Sequence, residues 1–149
     1  MELNDTARSV LDRKGGWVCY VTPETSVYEA LEIMAEEDIG ALLVISGSHL
    51  RGVFSERDYS RKVILLGKNS RETAVGEIMT SPPLVVTPDE SVDDCLKAMT
   101  RYRIRHLPVI EGDEVIGMLS IGDLVNWVIR RQVEEIQHLN HYITGSYPR

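Results

Sequence analysis

The chain has 149 residues, a formal net charge of −7, 43% hydrophobic and 26% charged residues, the composition of an ordinary globular protein. The acidic balance argues against nucleic acid as the main partner, because phosphate neutralisation needs a basic face. No apolar run approaches the roughly 20 residues that span a bilayer, so no membrane partner is expected. The start, Met1-Glu-Leu-Asn-Asp5, has neither a basic segment nor an apolar run, so a cytoplasmic location is the expectation.

Residues 2–14 are expected to form a short helix, with Val10 and Leu11 as its apolar anchors and Gly15-Gly16 stopping it. Residues 17–21 read as a strand. From there the chain repeats itself. Val21–Ile64 matches Val86–Ile129 at an offset of 65 residues without a gap, and 17 of the 44 aligned positions are identical. The protein is therefore two copies of one unit. Each unit is too small to be comfortably stable alone, so the two are expected to pack together and share a core.

Within each copy, a serine with a carboxylate three residues on (Ser26 and Glu29, Ser91 and Asp94) predicts a helix N-terminus. Behind it, Val27, Ala30, Leu31 and Met34, or Val92, Cys95, Leu96 and Met99, make one apolar helix face. Two short strands follow, around a turn glycine: 41–45 and 50–54 in the first copy, 107–110 and 114–119 in the second. Each copy then carries the phrase Gly-x-x-Ser-x-x-Asp, at Gly52–Asp58 and Gly117–Asp123, and a second helix, expected to reach about Leu66 in the first copy. The fold class is α+β: two repeats of strand-helix-strand-strand-helix, related by a pseudo-twofold, with a small mixed or antiparallel sheet and packed helices.

Between the copies, residues 67–83 read as a linker with a short helix over 73–79. The expected division is an N-terminal extension at 1–16, repeat 1 at 17–66, the linker, repeat 2 at 84–130, and a C-terminal helix extension and tail at 131–149. The last helix is longer than its counterpart and is expected to end at Gly145. Ile129, Val133, Ile136 and Ile143 keep a regular spacing along it, with Leu139 beside them. With Trp127 and Val128 they form a seam for self-association or for packing on the chain's own body.

The phrase has two physical readings. Ser55 and Asp58, like Ser120 and Asp123, are spaced as a capping box, with the aspartate favoured in the first helical turn. The same geometry suits a nucleotide: free N–H groups at a helix start face an anion, and a carboxylate one turn in accepts from ribose hydroxyls. Arg57 beside Asp58 adds a phosphate partner. Basic residues gather at 51–71 and at Arg101, Arg103, Arg105 and His106, and two such patches in an acidic chain suit a small anion. Cys19 and Cys95 form no metal or redox spacing, and the four histidines show no ligand pattern. No assembled catalytic arrangement or Walker-type loop is visible, so no enzyme activity is expected.

The paired phrases, Ile-Met-Thr at 78–80, Val-Thr-Pro-Asp-Glu-Ser-Val at 86–92 and Arg-Ile-Arg-His-Leu-Pro-Val at 103–109 together resemble a tandem cystathionine-β-synthase (CBS) domain pair, or Bateman module. The resemblance covers roughly residues 17–130 and suggests a stand-alone pair. It implies a non-catalytic regulatory module binding adenosine-containing ligands (AMP, ADP, ATP, NAD(H) or S-adenosylmethionine) in two clefts between the repeats, with signalling through a homodimer or a regulated protein partner. By the same resemblance, Ser55, Asp58, Ser120 and Asp123 hold ribose, Arg57, Arg105 and His106 meet phosphate, and Val21, Thr22, Val86 and Thr87 border adenine. Because Arg105 and His106 align with Gly40 and Ala41, and Arg57 with Gly122, the two sites are expected to draw their phosphate groups from different places. The other reading is a structural or interaction protein that uses the pair for dimerisation without a ligand.

Overall fold

A computed structural model describes residues 4–15 and 18–144. Helix α1 (Ala7–Lys14) begins at a Thr6 N-cap and ends at Gly15, whose φ of 99° no side chain favours. Strand β1 is Tyr20–Val21; Gly16 and Trp17, expected in the turn and the strand, lie outside the described residues. Helix α2 (Val27–Glu37) is capped by Ser26, followed by β2 (Ala41–Ser46) and β3 (His49–Ser55). Helices α3 (Glu56–Tyr59) and α4 (Val75–Ile78) lead to α5 (Val92–Tyr102), β4 (His106–Glu111), β5 (Glu114–Ser120) and α6 (Ile121–Thr144). Gly145 lies outside the described residues.

The two copies are built alike. β1 runs parallel to β2, which pairs antiparallel with β3; β4 pairs antiparallel with β5. Val86 joins β4 through one parallel bridge to Val109, in the place that β1 takes in the first copy. Both hairpins carry a register shift at the same point, after Val44 and after Val109. Helices α2 and α5 both end in a left-handed residue, Asp38 and Arg103.

The apolar residues form two clusters, one for each repeat, rather than the single shared core expected from size. Val27, Ala30, Met34, Leu42, Val44 and Phe54 are all buried in the first. Their counterparts 65 residues on, Val92, Cys95, Met99, Leu107, Val109 and Leu119, are buried in the second. The other face of β2 is also closed, with Ala41 and Leu43 at 0% exposure, so this strand is covered on both sides. Cys95 is a small core residue, and burial pushes its thiol up to about 11.

The segment before each repeat completes the core of the other repeat. Val75 and Ile78 of α4 sit in the first cluster; Ala7, Val10 and Leu11 of α1 sit in the second, Ala7 being an anchor that its small size hid in the sequence. The two segments dock by the same backbone bonds. Val27 N–H donates to Thr73 O and Val75 N–H to Thr25 O, while Val92 N–H donates to Asp5 O and Ala7 N–H to Glu90 O. The residues read as extension and linker therefore bear directly on the two cores.

The second helix of the first copy does not continue to Leu66. After α3 it widens into a π turn over Ser60–Ile64, with Leu65 N–H donating to Ser60 O. Val63 is buried there, Ile64 to Leu66 are exposed, and Gly67 at φ 71° ends the segment.

Gly52 and Gly117 lie within β3 and β5, where they let the preceding segment approach. A Cβ on Gly52 would meet Thr80 O at 2.6 Å; one on Gly117 would meet Leu11 Cδ2 at 2.7 Å. Gly52→Ala should therefore cost about 1–3 kcal/mol, since backbone must move, and Gly117→Ala less, since a leucine methyl can turn away. Equilibrium urea unfolding measures both; equal losses would show that the Leu11 contact is as rigid as backbone.

Candidate functional site

The turn from β3 into α3 faces the segment from α5 into β4, and a cleft of about 730 Å³ opens between them. Its first wall comes from repeat 1: Gly40, Ser55, Arg57, Asp58, Arg61 and Lys62. Facing it from repeat 2 are Tyr102, Arg103, Arg105 and His106. Val53, Pro82, Pro83, Leu84 and Ile104 supply apolar surface. Gly40 is a close-approach position, because a Cβ there would lie 3.0 Å from Glu56 Oε1 and 3.4 Å from His106 Cε1. Its counterpart in repeat 2 is Arg105, so the two copies differ where they face each other.

Asp58 is the best-anchored group in the cleft. Its side chain is 6% exposed. Oδ2 accepts from Ser55 N–H at 3.0 Å and from Ser55 Oγ at 3.1 Å, while Asp58 N–H donates back to Ser55 Oγ at 3.2 Å. Oδ1 accepts from Thr80 Oγ1 at 2.9 Å and pairs with Lys62 Nζ at 2.9 Å. The capping box of the sequence is thus built, and the Ile-Met-Thr segment is tied to it through Thr80. Any ribose hydroxyl that uses Asp58 shares or replaces these donors.

The second phrase is built in the same way and held by a different cation. Ser120 N–H donates to Asp123 Oδ2 at 2.8 Å and Asp123 N–H to Ser120 Oγ at 3.1 Å. Lys14, from α1, donates to the same Oδ2 at 2.8 Å and to Met118 O at 2.8 Å. Burial pushes the Asp123 carboxyl up, but the Lys14 ammonium and the Ser120 N–H and hydroxyl outweigh it, leaving the group below its ordinary range. His106 pairs with Ser120 across the β4–β5 ladder. Burial lowers its titration, Lys14 and Arg105 lower it further, and Asp123 opposes them, so the ring is neutral at neutral pH.

The structure gathers Ser55, Arg57, Asp58, Arg105 and His106 into one cleft. The phosphate groups expected at separate sites therefore converge from both repeats. Ser120 and Asp123 lie elsewhere, beside Lys14. Nor do Val21, Thr22, Val86 and Thr87 line this cleft: Val21 and Val86 are core residues, and Thr22 and Thr87 are exposed. The apolar wall comes instead from the proline segment and from Tyr102 and Ile104. Arg61, Lys62 and Arg103 belong to basic runs visible in the sequence, but only the fold shows which of those charges face inward. The five Lys and Arg side chains lining the cleft outnumber its two carboxylates, Glu56 and Asp58, in a chain that is acidic overall. Among the described residues no cluster fit for a metal ion is found.

Two pseudo-symmetric repeats with a charged cleft between them define a paired binding-module fold. The chain belongs to the CBS domain family: the family model for the CBS domain matches residues 18–64 and 75–130. It is 44% identical over 138 residues to the CBS domain-containing protein CBSX3 of Arabidopsis thaliana, which is named as mitochondrial. The match covers 89% of this chain and 66% of that protein, so the chain spans about two thirds of that relative's length. A protein with CBS domains from Burkholderia ambifaria superposes with a TM-score of 0.82 at 45% identity, covering 85% of this chain and 96% of that one. The CBS domain pair of protein MJ0100, solved with 5′-methylthioadenosine and S-adenosyl-L-methionine, shares the fold at 22% identity and a TM-score of 0.75, covering 85% and 97%. No helix among the described residues is long and apolar enough to cross a membrane.

Asp123 titrates lower in the folded chain than in the unfolded one, so its charge stabilises the fold above about pH 4 and loses that effect as acid protonates it. Asp123→Asn, which keeps an acceptor for the cap, should cost about 1 kcal/mol or less at pH 7, since the pair is partly solvated. The difference in calorimetric melting between the two proteins should shrink as the pH falls below about 4 and the carboxyl takes up its proton. A difference that persists there would assign the effect to the cap and not to Lys14.

Proposed function

We propose that the chain is a non-catalytic regulatory module whose first cleft binds an adenosine-containing ligand, and that occupancy is signalled through assembly or a protein partner. The observation that carries this reading is the convergence of cations from both repeats on one cleft beside Asp58. The cleft's volume lies within the range of small-molecule sites. Its apolar wall suits a base, Ser55 and Asp58 suit a ribose, and Arg57, Arg61, Arg103 and Arg105 suit phosphates. A ligand bridging both repeats also has the means to act as a switch, because it stabilises whichever arrangement brings the two walls to its own span. The adenosyl ligands in the MJ0100 complex, another member of this fold, support the class of ligand.

A second reading is an interaction protein without a physiological ligand. Its support is the internal satisfaction of both aspartates as helix caps.

A thermal-shift screen of AMP, ADP, ATP, NAD⁺, NADH and S-adenosylmethionine separates the two. A ligand at 100 times its dissociation constant adds about 2.7 kcal/mol, or roughly 5–10 °C for a chain of this size. No shift with any of them supports the interaction protein. Arg103 gives a sharper test because its backbone is left-handed at φ 54°. Arg103→Gly relieves that conformation, so it should hold or raise the melting temperature. The same change should weaken a phosphate-bearing ligand roughly tenfold or more, the scale of a hydrogen bond to a charged group. Unchanged affinity for every such ligand would remove Arg103 from the site.

A further inference from the structure

His106 stands where the two Ser-x-x-Asp phrases meet. It lines the first cleft from β4, and across the β4–β5 ladder it is paired with Ser120 of the second phrase. The ring is half-buried. A Cβ at Gly40 would lie 3.6 Å from His106 Nε2 and 3.0 Å from Glu56 Oε1, so the imidazole and that carboxylate border the same point of the cleft. Three more charged groups act on the ring from three sides: Lys14 at the end of α1, Arg105 just ahead of β4, and Asp123 in the first turn of α6. Asp123 is committed to Lys14 and to its own cap. Burial and the two cations therefore prevail, and the ring is neutral at neutral pH. The other charges of the cleft are Arg57, Arg61, Lys62 and Arg103 with Asp58, of which Lys62 is paired to Asp58 and Arg57 bonded to the Arg103 carbonyl.

An anion in this cleft inverts that balance. A phosphate beside Arg105 offsets the cation that disfavours a charged ring, and it adds negative charge at a half-buried site, where attraction is screened less than in water. An imidazolium donates from both ring nitrogens, and bonds between two ionised groups are the strong ones. Arginine in the same place would carry its charge with or without a ligand; only a histidine changes charge in this pH range. The counterpart of His106 in the first repeat is Ala41, fully buried, so this capacity belongs to one copy.

We propose that His106 couples ligand binding to proton uptake: the imidazole becomes an imidazolium when a phosphate-bearing ligand enters the cleft, so that acidification tightens binding. This coupling rests on the ligand reading above and names acidity as a regulator of that site. Its sign follows from linkage. Between the free and the bound titration of the ring the complex holds the extra proton, so affinity rises as pH falls through that window. Calorimetric titration with ADP from about pH 8 to about pH 6 reads it. The wild type should gain affinity, by up to about tenfold per pH unit for one proton. His106→Gln, which keeps a neutral donor and acceptor, should lose that part of the gain. The difference between the two proteins is what counts, because the terminal phosphate of ADP itself takes up a proton near about pH 6. In a chain carrying His49→Gln, His138→Gln and His141→Gln, His106 is the one remaining imidazole, and its proton resonance should titrate at higher pH with saturating ADP than without. That second readout holds even where His106→Gln fails to fold. The same pH dependence in wild type and variant, or a His106 titration that ADP does not move, overturns the coupling and leaves the ligand reading standing. So does binding of S-adenosylmethionine without binding of ADP. No binding of any adenosine-containing ligand overturns both.

Discussion

The contact on which the rest depends is the passage of one chain segment over a glycine of a strand. At Gly52 the backbone of Thr80 lies where a Cβ would stand, and at Gly117 a methyl of Leu11 does. These close approaches lay α4 and α1 onto the cores and bring a residue at or just past the end of each within reach of the aspartate of the capping box that follows the strand. In the first copy that residue is Thr80, a neutral donor to Asp58, whose cation is the local Lys62; in the second it is Lys14, itself the cation on Asp123. The same packing solution thus hands the two aspartates different partners. Whatever functional inequality exists between them begins there.

A pseudo-twofold forces equivalent positions of the two copies to face each other, so symmetry itself limits the site. A Cβ at Gly40 would lie 3.0 Å from Glu56 Oε1 and 3.4 Å from His106 Cε1, while its counterpart Arg105 lines the cleft. Two arginines in those places would compete for one space and repel. Divergence of the copies at 40 and 105, 41 and 106, and 57 and 122 lets a single cleft collect cations from both. The acidic remainder of the chain keeps that positive surface local, which suits a small anion more than a polymer.

Helix α6 couples this arrangement to the exterior. Its first turn is the second Ser-x-x-Asp cap, its middle is bonded through Trp127 and Arg131 to Asp5, just before α1, and its residues from Arg131 to Ile143 are exposed. The N-terminal segment that carries Lys14 to Asp123 therefore also braces α6 through Asp5. α1 is a short helix whose buried side chains are Ala7, Val10 and Leu11.

Much was legible in the sequence because it depended on local or periodic properties. The ungapped repeat, the serine caps, the apolar helix faces and the hairpin glycines each follow from spacing, and each core position of one copy predicted its partner 65 residues away. The CBS family was legible in the same motifs. Long-range packing decided the rest. Ala7 as a core residue, α1 as part of the second core and the glycines as contact points depend on segments distant in the chain. So does the meeting of Arg57 with Arg105 and His106, since a pattern along the chain says which charges are basic but not which of them share a space. The side chains of Val21 and Val86 lie in the two cores, where apolar burial is favourable. Sequence by itself determined the repeated unit and its caps, which are short-range; the fold alone decided which side chains of the two units converge, because that is set by how one copy docks on the other.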